Sequence, residues 1–523
     1  MQIYWNWAID PFHAAPYIAL FVVGVVVLIE GLLADHDPKG RLNHLFPPEY
    51  LAPSLLAACL VPIGFALYLA VRFGPRTFLN FQYHGHVVQN EVLVADQFAI
   101  FFALVACVAT VLVMVQSVEF FRERRYHRGE FYALLIFAAM AISLVAASTD
   151  LIMIYLSLEM LSLISYALAA YLKGDPKSSE AGVKYFLFGG VCSAIMIYGM
   201  SIIFGLTGST SLADVSSALG GAMGMTRIAW VGVFFTLVGF GFKLALVPFH
   251  LWAPDTYEGA PTPVTAFLSV ASKAAGLAVI ARLLLSGLPM GGVLIWFGPL
   301  ALLCTLSMIL GNLAAIWQSN IKRMLAYSSI AQIGYMMIGL LAYGFSAVET
   351  PYGTRNWGLQ GILIYLPAYL LMNLGAFAIV IHLANRTGSD EIESFAGMIR
   401  RSPFLSGALA FFFLSLAGIP PTAGFFGKFY VFGAAIQAGS PENTTLWWLA
   451  AIGVANSVIS IYYYFNVVRV MFFQPAKDES PISLTAATTF GVSLTLGLTL
   501  LIGIYPQPLI ELAKQSARIM SLF

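Results

Sequence analysis

The chain has 523 residues, of which 59% are apolar and 10% charged, with a formal net charge of +1. A soluble domain carries about 25% charged residues, and a mean hydropathy of +0.84 places this chain in a membrane. Such a composition excludes a secreted disulfide scaffold and a disordered tail, and the near-neutral charge excludes a nucleic-acid binder.

The chain opens Met1-Gln2-Ile3-Tyr4-Trp5-Asn6-Trp7 with no basic region before its first apolar run, so no cleaved signal peptide is expected. A membrane helix needs roughly 20 apolar residues. Candidate spans follow at 16–33, 52–71, 96–116, 131–147, 151–172, 181–206, 228–252, 262–285, 293–316, 322–343, 358–383, 403–435, 445–473 and 484–505. The gaps are short and rich in Gly, Pro, Asp and Ser, as turns between helices are. The runs are continuous rather than alternating, which excludes a β-barrel. Cys59, Cys107, Cys192 and Cys304 lie in apolar runs without a CxxC pair and read as structural thiols. No glycine-rich phosphate loop or dinucleotide fingerprint is present.

Lys and Arg gather in loops on the inner side of a membrane. With the N-terminus outside, the inner loops hold Lys39, Arg41, Arg122, Arg124, Arg125, Arg128, Lys173, Lys177, Lys322, Arg323, Arg386, Arg400, Arg401 and Lys477. The outer loops and C-terminus hold only Arg72, Arg76, Arg227, Arg355, Lys514 and Arg518. Both termini are therefore expected outside.

Two spans are interrupted by proline, at Val247-Pro248-Phe249-His250 and at Gly418-Ile419-Pro420-Pro421. Proline removes an amide donor and clashes with the preceding turn. Broken backbone at membrane depth is tolerated only inside protein or beside a wet cavity. The breaks lie five spans apart, so their helices run in opposite directions. The expected fold is an all-α polytopic membrane protein of about 14 helices with two inverted five-helix repeats. Its parts are 1–130, a first repeat at 131–285, a second at 293–473, and a C-terminal helix and tail at 484–523.

Four charges stand inside spans: Glu159, Lys243, Lys273 and Lys428. Each costs about 2.5–3.5 kcal/mol at the bilayer centre on insertion scales. Three lysines and one glutamate cannot all pair, so function is the better account. Burial disfavours a charged lysine and a nearby carboxylate favours it. A lysine whose partner approaches and retreats would take up and release a proton. Lysine is a poor metal ligand, and a metal site would want several carboxylates or carbonyls.

Other positions are less telling. Lys184 follows Glu180 by four residues and reads equally as a helix-end pair. His250, seven residues beyond Lys243, is either a relay or a satisfied buried histidine. Glu30 and Arg282 stand near helix ends, where snorkelling suffices. His84 and His86 sit in an expected polar outer loop with too few ligands for a metal, and Arg122 to Arg128 read as a positive-inside anchor.

Several runs carry a family resemblance: Leu156-Ser157-Leu158-Glu159, Ala181-Gly182-Val183-Lys184-Tyr185, the stretch from Pro248 to Pro263, Ile321-Lys322-Arg323-Met324-Leu325-Ala326-Tyr327-Ser328-Ser329, and Ala417-Gly418-Ile419-Pro420-Pro421 with Gly427-Lys428. In these the chain resembles the antiporter-like membrane subunits of respiratory complex I, the proton-pumping NADH:quinone oxidoreductase. Lysine at 273 and 428, and a chain that stops soon after the last span, separate it from two sister types. The resemblance implies that Glu159 pairs with Lys243, that Lys273 connects the halves and that Lys428 faces the exit. Lys184 and His250 match secondary positions of the polar axis. It further implies no cofactor in this chain, with NADH, FMN, iron–sulfur clusters and quinone in partner subunits. The implied partners are K-type and M-type membrane neighbours, the redox arm and the lipid bilayer of a bacterial inner membrane. A subunit of a multisubunit cation/proton antiporter shares the same core and is the alternative; a scaffold whose charges only stabilise assembly is a third reading.

Overall fold

The computed structural model describes residues 5–9, 11–35, 48–73, 76–83, 86–121, 129–221, 226–289, 293–349, 357–440, 444–476 and 480–517. Lys39, Arg41, His84, the basic cluster at 122–128, Arg355, Lys477 and Arg518 lie outside them.

The N-terminal part contains β1 (Trp5–Ile9), α1 (Pro11–Asp35), α2 (Pro48–Ala58), α3 (Leu60–Phe73), β2 (Arg76–Tyr83), β3 (His86–Ala95) and α4 (Gln97–Phe121). Next come α5 (Gly129–Ala147), α6 (Leu151–Ala169), α7 (Pro176–Thr207), α8 (Leu212–Gly220), α9 (Arg227–Leu244), α10 (Trp252–Gly259) and α11 (Thr262–Ser286). A parallel series follows: α12 (Val293–Ile316), α13 (Ile321–Glu349), α14 (Trp357–Thr387), α15 (Met398–Arg401), α16 (Pro403–Ala417), α17 (Ala423–Ala438) and α18 (Thr445–Phe473). The chain closes with α19 (Ala486–Ile504) and α20 (Gln507–Ser516).

Among the described residues, twelve helices are long and apolar enough to cross a membrane. The two remaining expected spans are pairs of shorter helices: α2 with α3, interrupted at Cys59, and α16 with α17, interrupted at the double proline. The protein is thus a multi-pass, almost wholly helical membrane protein. One small antiparallel sheet, in the order β1-β2-β3, accompanies the N-terminal helices. His86 opens β3 opposite Tyr83, so the expected polar loop is a hairpin. All four cysteines are buried and free.

Local chemistry explains the helix starts. Asp150 accepts from the amides of Ile152 at 2.8 Å and Met153 at 3.1 Å and so caps α6. Asp175 caps α7 the same way, with Pro176 in the first helical position, where a missing N–H costs nothing.

One loop is built twice. Thr207 donates to the carbonyls of Ile203 at 2.9 Å and Ser209 at 3.1 Å, Gly208 turns with φ 72°, and the amide of Leu151 reaches Thr210 O at 2.8 Å. Thr387 donates to Leu383 O at 3.0 Å and Ser389 O at 3.1 Å, Gly388 turns with φ 69°, and the amide of Ile321 reaches Asp390 O at 2.9 Å. The same device therefore ties the end of α7 to the start of α6 and the end of α14 to the start of α13.

The most apolar windows of α11, α13 and α14 are 100%, 94% and 94% buried, against 33% for α7, α18 and α19. The first three are therefore the interior, and nearly every side chain in those windows is cut off from lipid. Arg282 shows the consequence and corrects the snorkelling expectation. It is buried on α11 and makes a bidentate pair with Asp96 at 2.6 and 2.7 Å. It also donates to Ala146 O at 2.9 Å and lies 5.0 Å from the Phe98 ring centre. The guanidinium thus joins α4, α5 and α11 rather than reaching for water. Glu30, by contrast, stays only partly buried near the end of α1.

Candidate functional site

The two breaks are made differently. α9 ends at Leu244 because Ala245 takes a left-handed conformation with φ 57°. The freed amide of Val247 donates to Ser307 of α12 at 3.0 Å, and the indole of Trp252 donates to Phe242 O at 3.0 Å. α16 ends at Gly418, with φ 87°, and the amide of Gly424 donates to Ser415 Oγ at 3.2 Å. In both cases the backbone groups released by proline find partners inside the protein, as membrane depth demands.

Lys243 is the penultimate residue of α9. It is buried and donates to Ser162 Oγ at 3.3 Å. Ser162 stands one turn beyond Glu159 on α6, and Glu159 accepts a short hydrogen bond from Ser193 of α7. Glu159, Ser162, Ser193 and Lys243 line one small pocket. The structure thus brings Glu159 and Lys243 to one pocket without a direct ion pair; two hydroxyls stand at their tips.

Lys273 is fully buried in α11 and donates to Ser329 Oγ of α13 at 2.7 Å. Lys428, on α17, donates to Leu416 O at 3.1 Å and Ala417 O at 2.9 Å, and lies 4.7 Å from the Tyr335 ring centre. Those carbonyls are the last two of α16. A helix leaves such groups without partners and concentrates negative partial charge there, so the half-helix end holds the ammonium in place of a carboxylate.

A polar chain runs between the second and third lysines. Ser328, beside Ser329, is 2.5 Å from the hydroxyl of Tyr464. Gln332, one turn further, donates to Tyr464 at 3.4 Å and to Leu416 O at 3.1 Å, and accepts from Tyr365. Leu416 O is also the acceptor of Lys428, so α13 links the two lysines.

On one face of the bundle Lys184 donates to Asp255 at 2.7 Å and to Glu180 at 2.8 Å. Asp255 also accepts from Arg323 at 2.6 Å, and Arg323 reaches Glu258 at 3.1 Å. Lys184 is therefore more than a helix-end pair: through Asp255 it joins α7 to α13. Partial burial raises the Asp255 carboxyl, but hydrogen bonds from Lys184 and Arg323 outweigh it and hold the group below the ordinary carboxylate range. His250 is buried in the turn after α9, and its Nδ1 has no hydrogen-bond partner among the described residues.

Sequence reasoning passed over several groups here. Lys322, counted as a loop residue, is buried in α13 and bonded to Asp390 at 3.0 Å and Ala260 O at 3.3 Å. Asp255 and Arg323 stood inside quoted motifs without a role. Their charge next to the Pro-rich run was the available signal.

A polytopic bundle with two broken helices and lysines buried beside each defines a transporter-like membrane protein. The profile of the family described as NADH:quinone oxidoreductase/Mrp antiporter transmembrane matches residues 148–460, and the chain belongs to that family. It is 39% identical over 510 residues to NADH-quinone oxidoreductase subunit N of Desulfitobacterium hafniense, covering 96% of this chain and 97% of that one. It is 41% identical over 439 residues to the subunit N of Heliobacterium modesticaldum, covering 83% and 87%. Among solved structures, a chain of respiratory complex I from Thermus thermophilus with bound aureothin is 29% identical, with a TM-score of 0.71 and coverage of 94% and 98%. A chain of the Mrp complex from Dietzia, at 19% identity, 97% and 98% coverage and a TM-score of 0.78, shares the fold.

Proposed function

We propose that this chain is the N-type membrane subunit of a proton-translocating NADH:quinone oxidoreductase. It moves protons along Glu159, Lys243, Lys273 and Lys428, with Lys184 and His250 in secondary places. The observation that carries this reading is the line of three buried lysines held by hydroxyls and carbonyls, none tied to a carboxylate in this structure. An ammonium with neutral partners is free to lose its proton, whereas one locked to a carboxylate is not. Glu159, at the tip of the first pocket, is the charge whose approach would reload Lys243.

In this reading residues 131–285 and 293–473 are inverted repeats, supported by the twice-built threonine–glycine loop and the two breaks. The face bearing Lys184, Asp255, Lys322 and Arg323 is the inner one, supported by the Lys and Arg bias, which puts both termini outside a bacterial inner membrane. Electrons pass from NADH through FMN and iron–sulfur clusters to quinone in partner subunits, and K-type and M-type subunits flank this chain. The test is proton uptake by inverted membrane vesicles with the assembled complex. Lys428→Ala and Lys243→Ala should each sharply lower the share of pumping that this subunit supplies. Parental pumping in both would overturn the reading, and sodium-coupled transport would favour the cation/proton antiporter.

A further inference from the structure

A second titratable pair lies inside the bundle, away from the lysine line. Glu119, near the end of α4, and His382, near the end of α14, are 5% and 0% exposed, with His382 Nδ1 3.4 Å from the carboxylate. Thr488 of α19 lies 3.2 Å from the same nitrogen. Three segments distant in sequence thus converge on one imidazole. A buried acid and base are costly unless paired or put to use, and the line from Glu159 to Lys428 does not use them.

An open cavity of about 160 Å³ lies on the face that carries Lys322 and Asp390, lined by chain neighbours of the pair. Phe120 and Asn385 line that cavity, and Asn385 donates to Glu119 O at 2.9 Å. In the other direction polar groups climb towards the centre. Gln116, one turn above Glu119, donates to Leu374 O at 3.0 Å. The neighbouring Asn373 donates to Ser269 Oγ at 2.6 Å. Ser269 stands four residues, one turn, before Lys273. His382 Nε2 and Gln116 Oε1 are buried with no hydrogen-bond partner among the described residues; the ring nitrogen can accept or donate along this line, and the amide oxygen can accept. Steps of one helical turn, about 5.4 Å, are the reach of one or two bridging waters.

We propose that Glu119 and His382 form a second proton inlet, loaded from this cavity and delivering to Lys273. This rests on the proton-translocating reading above. A proton from the cavity binds the imidazole–carboxylate pair, passes along waters oriented by Gln116 and Asn373, and ends on a deprotonated Lys273 Nζ. The pair is then restored to its unloaded state. Gln116 and Asn373 are positioning residues, since an amide orients water but does not readily carry a proton. Lys273 is then charged through the pair, while Glu159 and Lys243 are still required to switch it between its loaded and unloaded states.

The experiment compares proton pumping of the assembled complex in inverted vesicles for Glu119→Gln, His382→Gln, Glu119→Asp and Gln116→Leu, with Lys428→Ala alongside. Removing a positioned acid–base group should slow pumping about tenfold or more in the first two, and Glu119→Asp should restore most of it. Gln116→Leu leaves the buried pair intact and should slow pumping too. If a Gln variant fails to assemble, Gln116→Leu and labelling of Asn385→Cys from the cavity side decide: parental pumping in the one, or no labelling in the other, overturns the inlet. Parental pumping in Glu119→Gln and His382→Gln while Lys428→Ala is inactive would overturn the inlet and leave the general reading standing. Parental pumping in Lys428→Ala would instead overturn the reading beneath it.

Discussion

The two broken helices solve one problem in opposite ways. At the first, the carbonyl end of α9 is met by the indole of Trp252, and Lys243 is left with a single 3.3 Å bond to Ser162. At the second, the carbonyl end of α16 is met by the lysine itself, through two bonds from Lys428. The first lysine is loosely held beside a titratable acid, and the second is held by a fixed dipole. The contrast teaches that one buried lysine can be governed by a mobile charge and the other by backbone geometry within a single chain.

The largest effect should come from replacing either lysine by arginine. Guanidinium keeps its charge and hydrogen bonds but does not deprotonate in a protein. Lys243→Arg should abolish pumping by this subunit in vesicles. If Lys428→Arg pumps normally while Lys243→Arg does not, Lys428 is a cap on α16 and not a proton carrier, and the contrast becomes one of function as well as geometry.

A double-mutant cycle sharpens the same point. Glu159→Gln with Lys243→Ala should show a coupling of about 1–3 kcal/mol in activation free energy for pumping, as for residues in one network. Glu159→Gln with Lys428→Ala should add within about 0.5 kcal/mol. Equal couplings would erase the distinction between the two breaks.

Backbone substitutions test the second half. Gly418 has φ 87°, and a Cβ there would stand 2.8 Å from Lys428 Cδ. Gly418→Ala should lower the stability of the complex by about 1–2 kcal/mol, the strain of a left-handed L-residue, and displace Lys428. The equivalent residue in the first break is already Ala245, with φ 57°, so Ala245→Gly should shift stability by no more than about 1 kcal/mol. Thermal unfolding of the purified complex reads both.

Much of this was legible in the sequence, for physical reasons that also set its limits. Long apolar runs report spans because a bilayer demands them, and Pro248, Pro420 and Pro421 report breaks because proline cannot complete a helix. Lysines 243, 273 and 428 stood out because charge inside such runs is expensive. Partners were not legible. Arg282 and Asp96 are separated by 186 residues, and hydropathy has no term for contacts across such distances. Lys322 looked like a loop residue because it falls at a helix start, where only packing distinguishes a buried lysine from a wet one. Glu119 and His382 escaped for both reasons.

The smallest effect concerns the surface network at the start of the first lysine's half of the bundle. The folded Asp255 carboxyl lies below its ordinary value, so its pairing is fully present at neutral pH and is lost as pH falls through that depressed value. Asp255→Asn should therefore lower stability at neutral pH and flatten the acid limb of a stability–pH curve measured by thermal unfolding. A change confined to alkaline pH would contradict the ion-pair assignment with Lys184 and Arg323.

The Arg282–Asp96 pair also bears on how the protein is made. Asp96 opens α4, yet its guanidinium partner is synthesised 186 residues later. Until then a lone carboxylate at that position costs about 2.5–3.5 kcal/mol if placed deep in lipid. The lock that joins α4, α5 and α11 can therefore close only after α11 has been made, so this part of the bundle is finished late rather than helix by helix.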